Sequence, residues 1–296
     1  MQGLIGNNLF VLISGYFLVK SPRINFRRMF VMWIKILFFS LAVFVLLSYT
    51  EPGYFTIKGL LKCFMPVTHR RWWFLSTYFL MYLLHPYLNI FLHAMSRDEY
   101  KKFLLALGFY FSIIPVITKS EFGYSELSMF IYFYCLAGYV RLWAYDFGSK
   151  KYIFYGFALM GLNFLSAFVL DVIGLKIPFA ANNSEYFLFG GRPGMMRPLN
   201  IISAFCMFIG FKKLDIPHNR VINIIASATL GVYMLHENSF SINFLWRDVF
   251  DFPSFQNSPY LIPYSLACVI VVYISCTIIE LLRSKIFRTL TRGYLS

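Results

Sequence analysis

Two apolar segments of the sequence contain the side chains best suited to acid–base chemistry. His236 and Glu237 stand together at the end of one segment, followed by Asn238. A histidine beside a carboxylate can act as a general acid or base, although neighbours on a helix point about 100° apart and need not touch. His85 precedes Pro86 in the other segment, where it could transfer protons or satisfy a backbone carbonyl freed by the proline. We therefore take His236, Glu237 and His85 as catalytic candidates, or else as polar groups with a packing role.

A basic segment near the N-terminus could bind a donor rich in phosphate groups. Lys20 opens it, and Lys35 follows seven residues after Arg28 on the same side of a helix. Arginine presents a planar fork that suits phosphate oxygens, and coenzyme A is a donor of that kind. The same residues could serve membrane topology alone, and Lys35 could extend back to the basic loop. The predicted donor-binding residues are Arg23, Arg27, Arg28 and Lys35.

Residues 70–89 and the loop 174–197 could contribute to an acceptor site on the outer face. The first segment begins with two arginines and two tryptophans, a pattern that also anchors a helix at the membrane interface. The loop is the longest connection in the chain, and long loops tend to carry function. Its Gly-rich turn does not follow a strand, which excludes a phosphate-binding loop. The predicted acceptor-side residues are Arg71, Trp73 and Arg192.

Composition places these residues in a membrane protein. The chain is 59% hydrophobic, 21% aromatic and 14% charged, with a mean hydropathy of +0.63. A net charge of +14 would suit nucleic acid in a soluble protein. Here the basic residues stand at the ends of apolar runs, which favours membrane topology, anionic lipid or an anionic substrate, and we expect no nucleic-acid partner. The five cysteines show no CxxC spacing, which argues against a metal site or a disulfide framework.

Apolar runs of about 17–25 residues predict nine membrane spans in a single all-α domain covering residues 1–296. They lie at about 3–19, 28–49, 72–93, 102–118, 127–145, 152–173, 198–211, 221–245 and 260–282. Alternating the loops puts 17 of the lysines and arginines inside and 9 outside, which places residue 1 on the outer face and Ser296 in the cytoplasm. A tenth helix before residue 1 would put both ends in the cytoplasm. The sequence thus predicts a multi-pass helix bundle of the cell membrane.

Three motifs in order resemble those of the type-3 acyltransferase family of integral membrane proteins. They are NLFVLISGYFL with the basic loop, RWWFLSTYFLMYLLHPYLN and INIIASATLGVYMLHENS. The closest likeness is to members that O-acetylate cell-surface polysaccharides. The resemblance implies about ten membrane helices and transfer of an acetyl or other short acyl group from cytoplasmic acyl-CoA to a sugar hydroxyl. Arg27 and Arg28 match the family's basic positions, and His236 matches the last residue of a GxYxxH-like motif.

One element of the family pattern has no counterpart in this sequence. The resemblance implies a first helix with an arginine and, about ten residues later, the histidine thought essential for catalysis, whereas the first histidine here is His69. We therefore expect that the chain lacks this helix and that residues 1–296 alone give no turnover. We expect acyl-CoA to be the donor substrate, and we expect no bound cofactor. The expected partners are membrane lipid and a polysaccharide or lipid-linked sugar acceptor. There are two alternative functions. One is a glycolipid transporter, which would usually show internal repeats. The other is a polysaccharide polymerase, which would usually show a larger outer loop.

Overall fold

The described part of the chain is mostly helical and contains no strand. The computed structural model describes residues 3–50, 53–118, 123–174, 176–177, 196–238, 242, 244–255 and 258–291. Its α-helices are α1 (Gly3–Leu18), α2 (Phe26–Thr50), α3 (Ile57–Phe64), α4 (Trp73–His93), α5 (Arg97–Gly108), α6 (Ile114–Thr118), α7 (Glu126–Trp143), α8 (Lys151–Gly174), α9 (Pro198–Lys212), α10 (Arg220–His236), α11 (Phe252–Phe255) and α12 (Leu261–Thr291). Two π-helical segments occur at Phe109–Ile113, between α5 and α6, and at Phe244–Val249. The prediction of an all-α protein is confirmed.

Long helical segments lie at the positions of the predicted spans. Three of them, Phe26–Thr50, Arg97–Thr118 and Leu261–Phe287, are long and apolar enough to cross a membrane by length and composition. The number of spans and the single domain remain predictions. The eighth predicted span differs most, because α10 ends at His236 rather than near residue 245. Polar residues directly after His236 favour a helix end, and their side chains are unsuited to continuing an apolar helix.

Several helix starts are set by local side chains. The Ser96 hydroxyl accepts a hydrogen bond from the Glu99 backbone at 3.4 Å, and the Ser96 backbone donates to the Glu99 carboxylate at 2.8 Å. This reciprocal capping box begins α5. Asn25 begins α2 by accepting from the Arg28 backbone at 2.9 Å. The first turn of α2, with its two arginines, therefore has a fixed start.

The chain divides into two compact units. The first consists of Met1–Ile24 with Thr77–Ile216, and the second of Asn25–Ser76 with Pro217–Ser296. In the first unit, small residues bring helices close together: a Cβ on Gly15 of α1 would lie 2.9 Å from Tyr134 Cα of α7. A Cβ on Gly210 of α9 would lie 2.6 Å from the Ile153 backbone nitrogen of α8. Glycine at such contacts permits the close backbone approach that is typical of helices packed in membranes.

The second unit contains α2, α3, the first residues of α4, α10, the second π-helical segment, α11 and α12. Val232 of α10 and Cys276 of α12 belong to one buried apolar cluster. A Cβ on Gly231 would lie 2.5 Å from Glu280 Cγ, so glycine at this position makes room for an acidic side chain inside the unit. Trp72 is almost fully buried, and its indole nitrogen donates to the Met234 carbonyl at 3.0 Å. This unit positions most of the residues discussed next.

Candidate functional site

A cavity beside the start of α2 collects three of the four predicted donor-binding residues. Its volume is about 640 Å³, within the range of small-molecule sites. Arg23 is not among the lining residues. The cavity is lined by Asn25, Arg27, Arg28, Val31, Met32, Lys35 and Leu230. The wall thus carries two cations at the start of α2 and a third at Lys35, with the apolar side chains of Val31 and Met32 between them in the sequence.

The position of Arg27 and Arg28 on α2 favours an anionic ligand. Both side chains are exposed and lie in the first turn of a 25-residue helix. The backbone N–H groups and the positive end of the helix dipole lie at that end, where cations are unfavourable and anions are stabilised. A bound phosphate would therefore be attracted both by the arginine side chains and by the helix terminus.

Lys35 is held by a buried carboxylate from a distant part of the sequence. Its ammonium nitrogen lies 2.7 Å from Glu280 Oε1, and the two side chains are 17% and 2% exposed. Arg283 donates from Nε to Glu280 Oε2 at 2.7 Å and from Nη2 to Oε1 at 2.8 Å. The Ser284 hydroxyl also donates to Oε1 at 3.1 Å. One carboxylate thus offsets two cations, and the Lys35 side chain pairs with α12 instead of extending back to the basic loop.

Glu280 was missed from the sequence, although a signal for it exists. It is an acidic residue inside a long apolar run, and such residues are costly unless they have a partner. That signal marks Glu280 as paired or functional but does not say with which residue. Only the packing of α12 within the second unit brings it to Lys35.

His236 and Glu237 are brought within electrostatic range of each other. The His236 Nδ1 lies 2.7 Å from the Val232 carbonyl oxygen, which can only accept, so Nδ1 is the donor; in the neutral ring Nε2 would then be the nitrogen with the lone pair. The Glu237 Oε1 lies 3.9 Å from Nε2, and both side chains are partly exposed. A base in this state can accept a proton, and the carboxylate would stabilise the resulting imidazolium. The angular separation expected for helix neighbours does not prevent this contact because the helix ends at His236.

The comparisons with known proteins agree with the sequence motifs. Residues 1–280 match the family model described as an acyltransferase domain, that of the type-3 acyltransferases. The chain belongs to the type-3 acyltransferase family. No curated protein and no solved structure matches it. The resemblance noted from the motifs is confirmed, and an acyltransferase function in general is supported, whereas a transporter or polymerase gains no support.

Family membership and the apolar helices together indicate that this type-3 acyltransferase is a membrane protein. The predicted orientation, with Ser296 in the cytoplasm, stays a prediction. So do the proposed donor, acceptor and site residues. Their positions in the structure determine which of them can act together.

The predicted acceptor-side residues of this acyltransferase are only partly described. Arg71 is 7% exposed and donates from Nη2 to the Gly59 carbonyl at 3.4 Å and to Cys63 Sγ at 3.8 Å. Burial lowers the pKa of the Arg71 guanidinium, and the nearby Cys63 opposes that shift. Trp73 is half-buried, and its ring packs edge-on against Phe74 with the centroids 5.6 Å apart. Arg192 lies outside the described residues.

His85 is placed where the proline frees a backbone carbonyl. Pro86 cannot donate to Tyr82, four residues earlier, as an ordinary residue in a helix would. The His85 Nδ1 lies 2.5 Å from the Tyr82 carbonyl oxygen and replaces that missing donor. The imidazole is fully buried and lies 4.9 Å from the Tyr82 ring. This geometry favours the helix-supporting role over proton transfer for His85.

Proposed function

We propose that this type-3 acyltransferase transfers an acetyl or other short acyl group from cytoplasmic acyl-CoA to a sugar hydroxyl of a cell-surface polysaccharide. The observation that carries the donor part of the proposal is the cavity at the start of α2, which is lined by three cations and by apolar side chains. The acceptor part rests on the resemblance of the motifs to polysaccharide O-acetylating members of the family.

The cavity matches the chemistry of a coenzyme A thioester in two respects. Arg27 and Arg28 offer forked donors to the phosphate groups at the helix start. Val31, Met32 and Leu230 offer apolar surface to the less polar pantetheine arm. Lys35 adds a further cation deeper along α2, about 12 Å from Arg27 along the helix axis.

The reaction sets a further requirement for the protein. Transfer breaks the thioester C–S bond, forms an ester C–O bond, and moves the hydroxyl proton to the leaving thiolate. A general base has to take up that proton during the attack. His236 has an open Nε2 and a nearby carboxylate, and it lies about 9 Å along α10 from Leu230 of the cavity wall. Because the resemblance implies a different main base, we propose that His236 assists the transfer.

Donor binding can be tested separately from turnover. Isothermal titration of purified residues 1–296 with acetyl-CoA measures affinity directly. Arg27→Ala and Arg28→Ala should each weaken binding by about 1.5–3 kcal/mol, or roughly 10- to 100-fold, because each removes a charged phosphate contact. Lys58→Ala with Lys62→Ala is the matched control, because these exposed lysines belong to α3 of the same unit and do not line the cavity. Equal weakening by the control pair, or no binding by the unsubstituted chain, would refute the donor site.

The acceptor is tested in cells. The O-acetyl content of the cell-surface polysaccharide should fall when the gene is deleted from its own strain and recover when the gene is returned. An unchanged O-acetyl content in cells whose membranes consume acetyl-CoA only when the gene is present would exclude the polysaccharide as acceptor. That outcome would leave the measured donor affinity intact, so the two parts of the proposal can fail separately.

A further inference from the structure

A second cavity lies within the first unit and is independent of the donor cavity. Its volume is about 500 Å³, and it has the shape of a groove along α5 and α7, bordered by the end of α7 and by one side chain of α9. The lining consists of two cations at one end and mostly apolar or aromatic side chains elsewhere. These residues are Arg97, Lys101, Leu104, Leu105, Tyr132, Leu136, Tyr139, Val140, Ala144, Phe147 and Phe205.

The groove is polar at one end and apolar at the other because of helical spacing on α5. Arg97, Lys101 and Leu105 are each four residues apart, so they form one stripe on the helix surface. From Arg97 to Leu105 this stripe extends about 12 Å along the axis. The stripe begins with two cations and ends with a leucine. A phospholipid has the matching arrangement, with a phosphate at one end and an acyl chain at the other.

The two helices that form the groove are held in fixed positions. The Tyr100 hydroxyl of α5 donates to the Cys135 carbonyl of α7 at 2.8 Å, and the tyrosine is fully buried. A Cβ on Gly108 would lie 2.8 Å from the Tyr132 hydroxyl, so the Tyr132 side chain of α7 reaches α5 again about two turns later. The groove therefore belongs to the packing of the first unit and is a preformed feature.

The charges near its cationic end leave that end suitable for an anion. Glu99 is occupied by the Ser96 cap. Asp98 lies 3.7 Å from Lys101, but its side chain is 83% exposed, and such surface pairs contribute little. Arg97 is exposed and interacts with the Tyr139 side chain inside the groove. Two cations thus face one end of an apolar groove on a helix that is apolar enough to span a membrane.

We propose that this groove binds one anionic phospholipid of the surrounding membrane, with its phosphate at Arg97 and Lys101 and an acyl chain along Leu104, Leu105 and Leu136. An anionic headgroup is favoured because each nearby basic residue attracts a negatively charged lipid surface. The acyl chain is favoured because the remaining wall offers almost no polar groups to a sugar or nucleotide. The bound lipid would hold the ends of α5 and α7 together at the membrane surface.

Native mass spectrometry of residues 1–296 in detergent tests the charge part of the proposal. Phosphatidylglycerol should bind as a single retained lipid, at least about tenfold more tightly than phosphatidylcholine. Arg97→Gln with Lys101→Gln should weaken phosphatidylglycerol binding by about 10- to 30-fold. Lys150→Gln with Lys151→Gln removes the same charge from exposed positions outside the groove and should leave binding within about twofold. Equal effects of the two pairs would overturn the proposal in favour of a diffuse surface attraction.

A second variant tests the apolar part. Leu136→Trp places an indole in the apolar part of the groove and leaves both cations intact, so it should displace the acyl chain and weaken phosphatidylglycerol binding at least tenfold. Retention of full lipid binding by a folded Leu136→Trp protein would overturn the assigned groove. If that variant does not fold, Leu105→Trp provides the same block from α5. Displacement of the lipid by acetyl-CoA would also overturn the proposal, because it would assign the groove to the donor.

Discussion

The cations of α2 differ in their surroundings: Lys35 pairs with a buried carboxylate, whereas Arg27 and Arg28 are exposed. Lys35 is mostly buried and is paired with Glu280, which Arg283 also contacts. Arg27 and Arg28 are exposed and line the same cavity at the start of α2. The Glu280 carboxylate offsets the cost of burying Lys35, whereas Arg27 and Arg28 stand exposed in the first turn of α2. Lys35 thus holds α2 against α12 and also lines the cavity, whereas Arg27 and Arg28 contribute charge at the start of α2.

The two histidines discussed above differ in the same way. Each bonds a backbone carbonyl through Nδ1, Tyr82 for His85 and Val232 for His236. The His85 ring is fully buried, and its Nε2 has no hydrogen-bond partner among the described residues. The His236 ring is partly exposed, and its Nε2 faces a carboxylate. A histidine needs an accessible second nitrogen to exchange a proton with a substrate, and only His236 of this pair has one.

The largest expected effect comes from breaking the buried ion pair. Glu280→Ala leaves Lys35 and Arg283 without their carboxylate and should lower the free energy of unfolding by about 3–5 kcal/mol. Unfolding in mixed detergent, followed by tryptophan fluorescence, measures this. Asp98→Ala removes an exposed carboxylate and should change stability by less than about 0.5 kcal/mol. A loss for Glu280→Ala no larger than that of Asp98→Ala would show that the pair does not stabilise the unit.

A combined substitution sharpens the same comparison. Replacing Lys35, Glu280 and Arg283 together by methionine removes all charge from the network and should restore most of the stability lost in Glu280→Ala. Acetyl-CoA affinity should stay below that of the unsubstituted protein, because the Lys35 charge is gone. Full affinity in a stable triple variant would mean that Lys35 has a structural role only.

Gly231→Ala should have an intermediate effect. The added Cβ would lie 2.5 Å from Glu280 Cγ and 2.6 Å from Glu280 Cδ, which forces the carboxylate to move. Overpacking of this kind costs about 1–3 kcal/mol in the free energy of unfolding. Gly161→Ala is the control, because no atom lies within 4 Å of its added Cβ. Equal stability of the two alanine variants would contradict the close approach of α10 and α12.

The histidine pair should show opposite responses. His85→Phe removes the donor that serves the Tyr82 carbonyl and should cost about 1–3 kcal/mol of unfolding free energy. His236→Phe should cost less than about 1 kcal/mol, because water can replace its partly exposed bond. In the native strain, substituting His236 should lower polysaccharide O-acetylation by up to about 100-fold. A stability loss for His236→Phe as large as that for His85→Phe would contradict the distinction.

The sequence by itself determined the features that depend on local pattern. Long apolar runs predict helices whatever their neighbours are, so the all-α fold and the positions of the main helices followed from the chain alone. The capping residues Ser96 and Glu99 are separated by the spacing that a helix start requires. Arg27 and Arg28 were assigned to a cationic site because charge at the end of an apolar run is visible in one dimension. The motifs that indicated the family are likewise local.

Only the tertiary structure decided which distant polar groups meet. Glu280 and Lys35 stand near opposite ends of the chain, and no periodicity within either helix says that they form a pair. The tryptophan pattern suggested an interfacial anchor, but Trp72 is buried with its indole bonded to Met234. The end of α10 at His236 brought the imidazole and the Glu237 carboxylate together. Helix patterns specify which face is apolar, whereas partners are selected by close packing and by the cost of leaving a buried polar group unpaired.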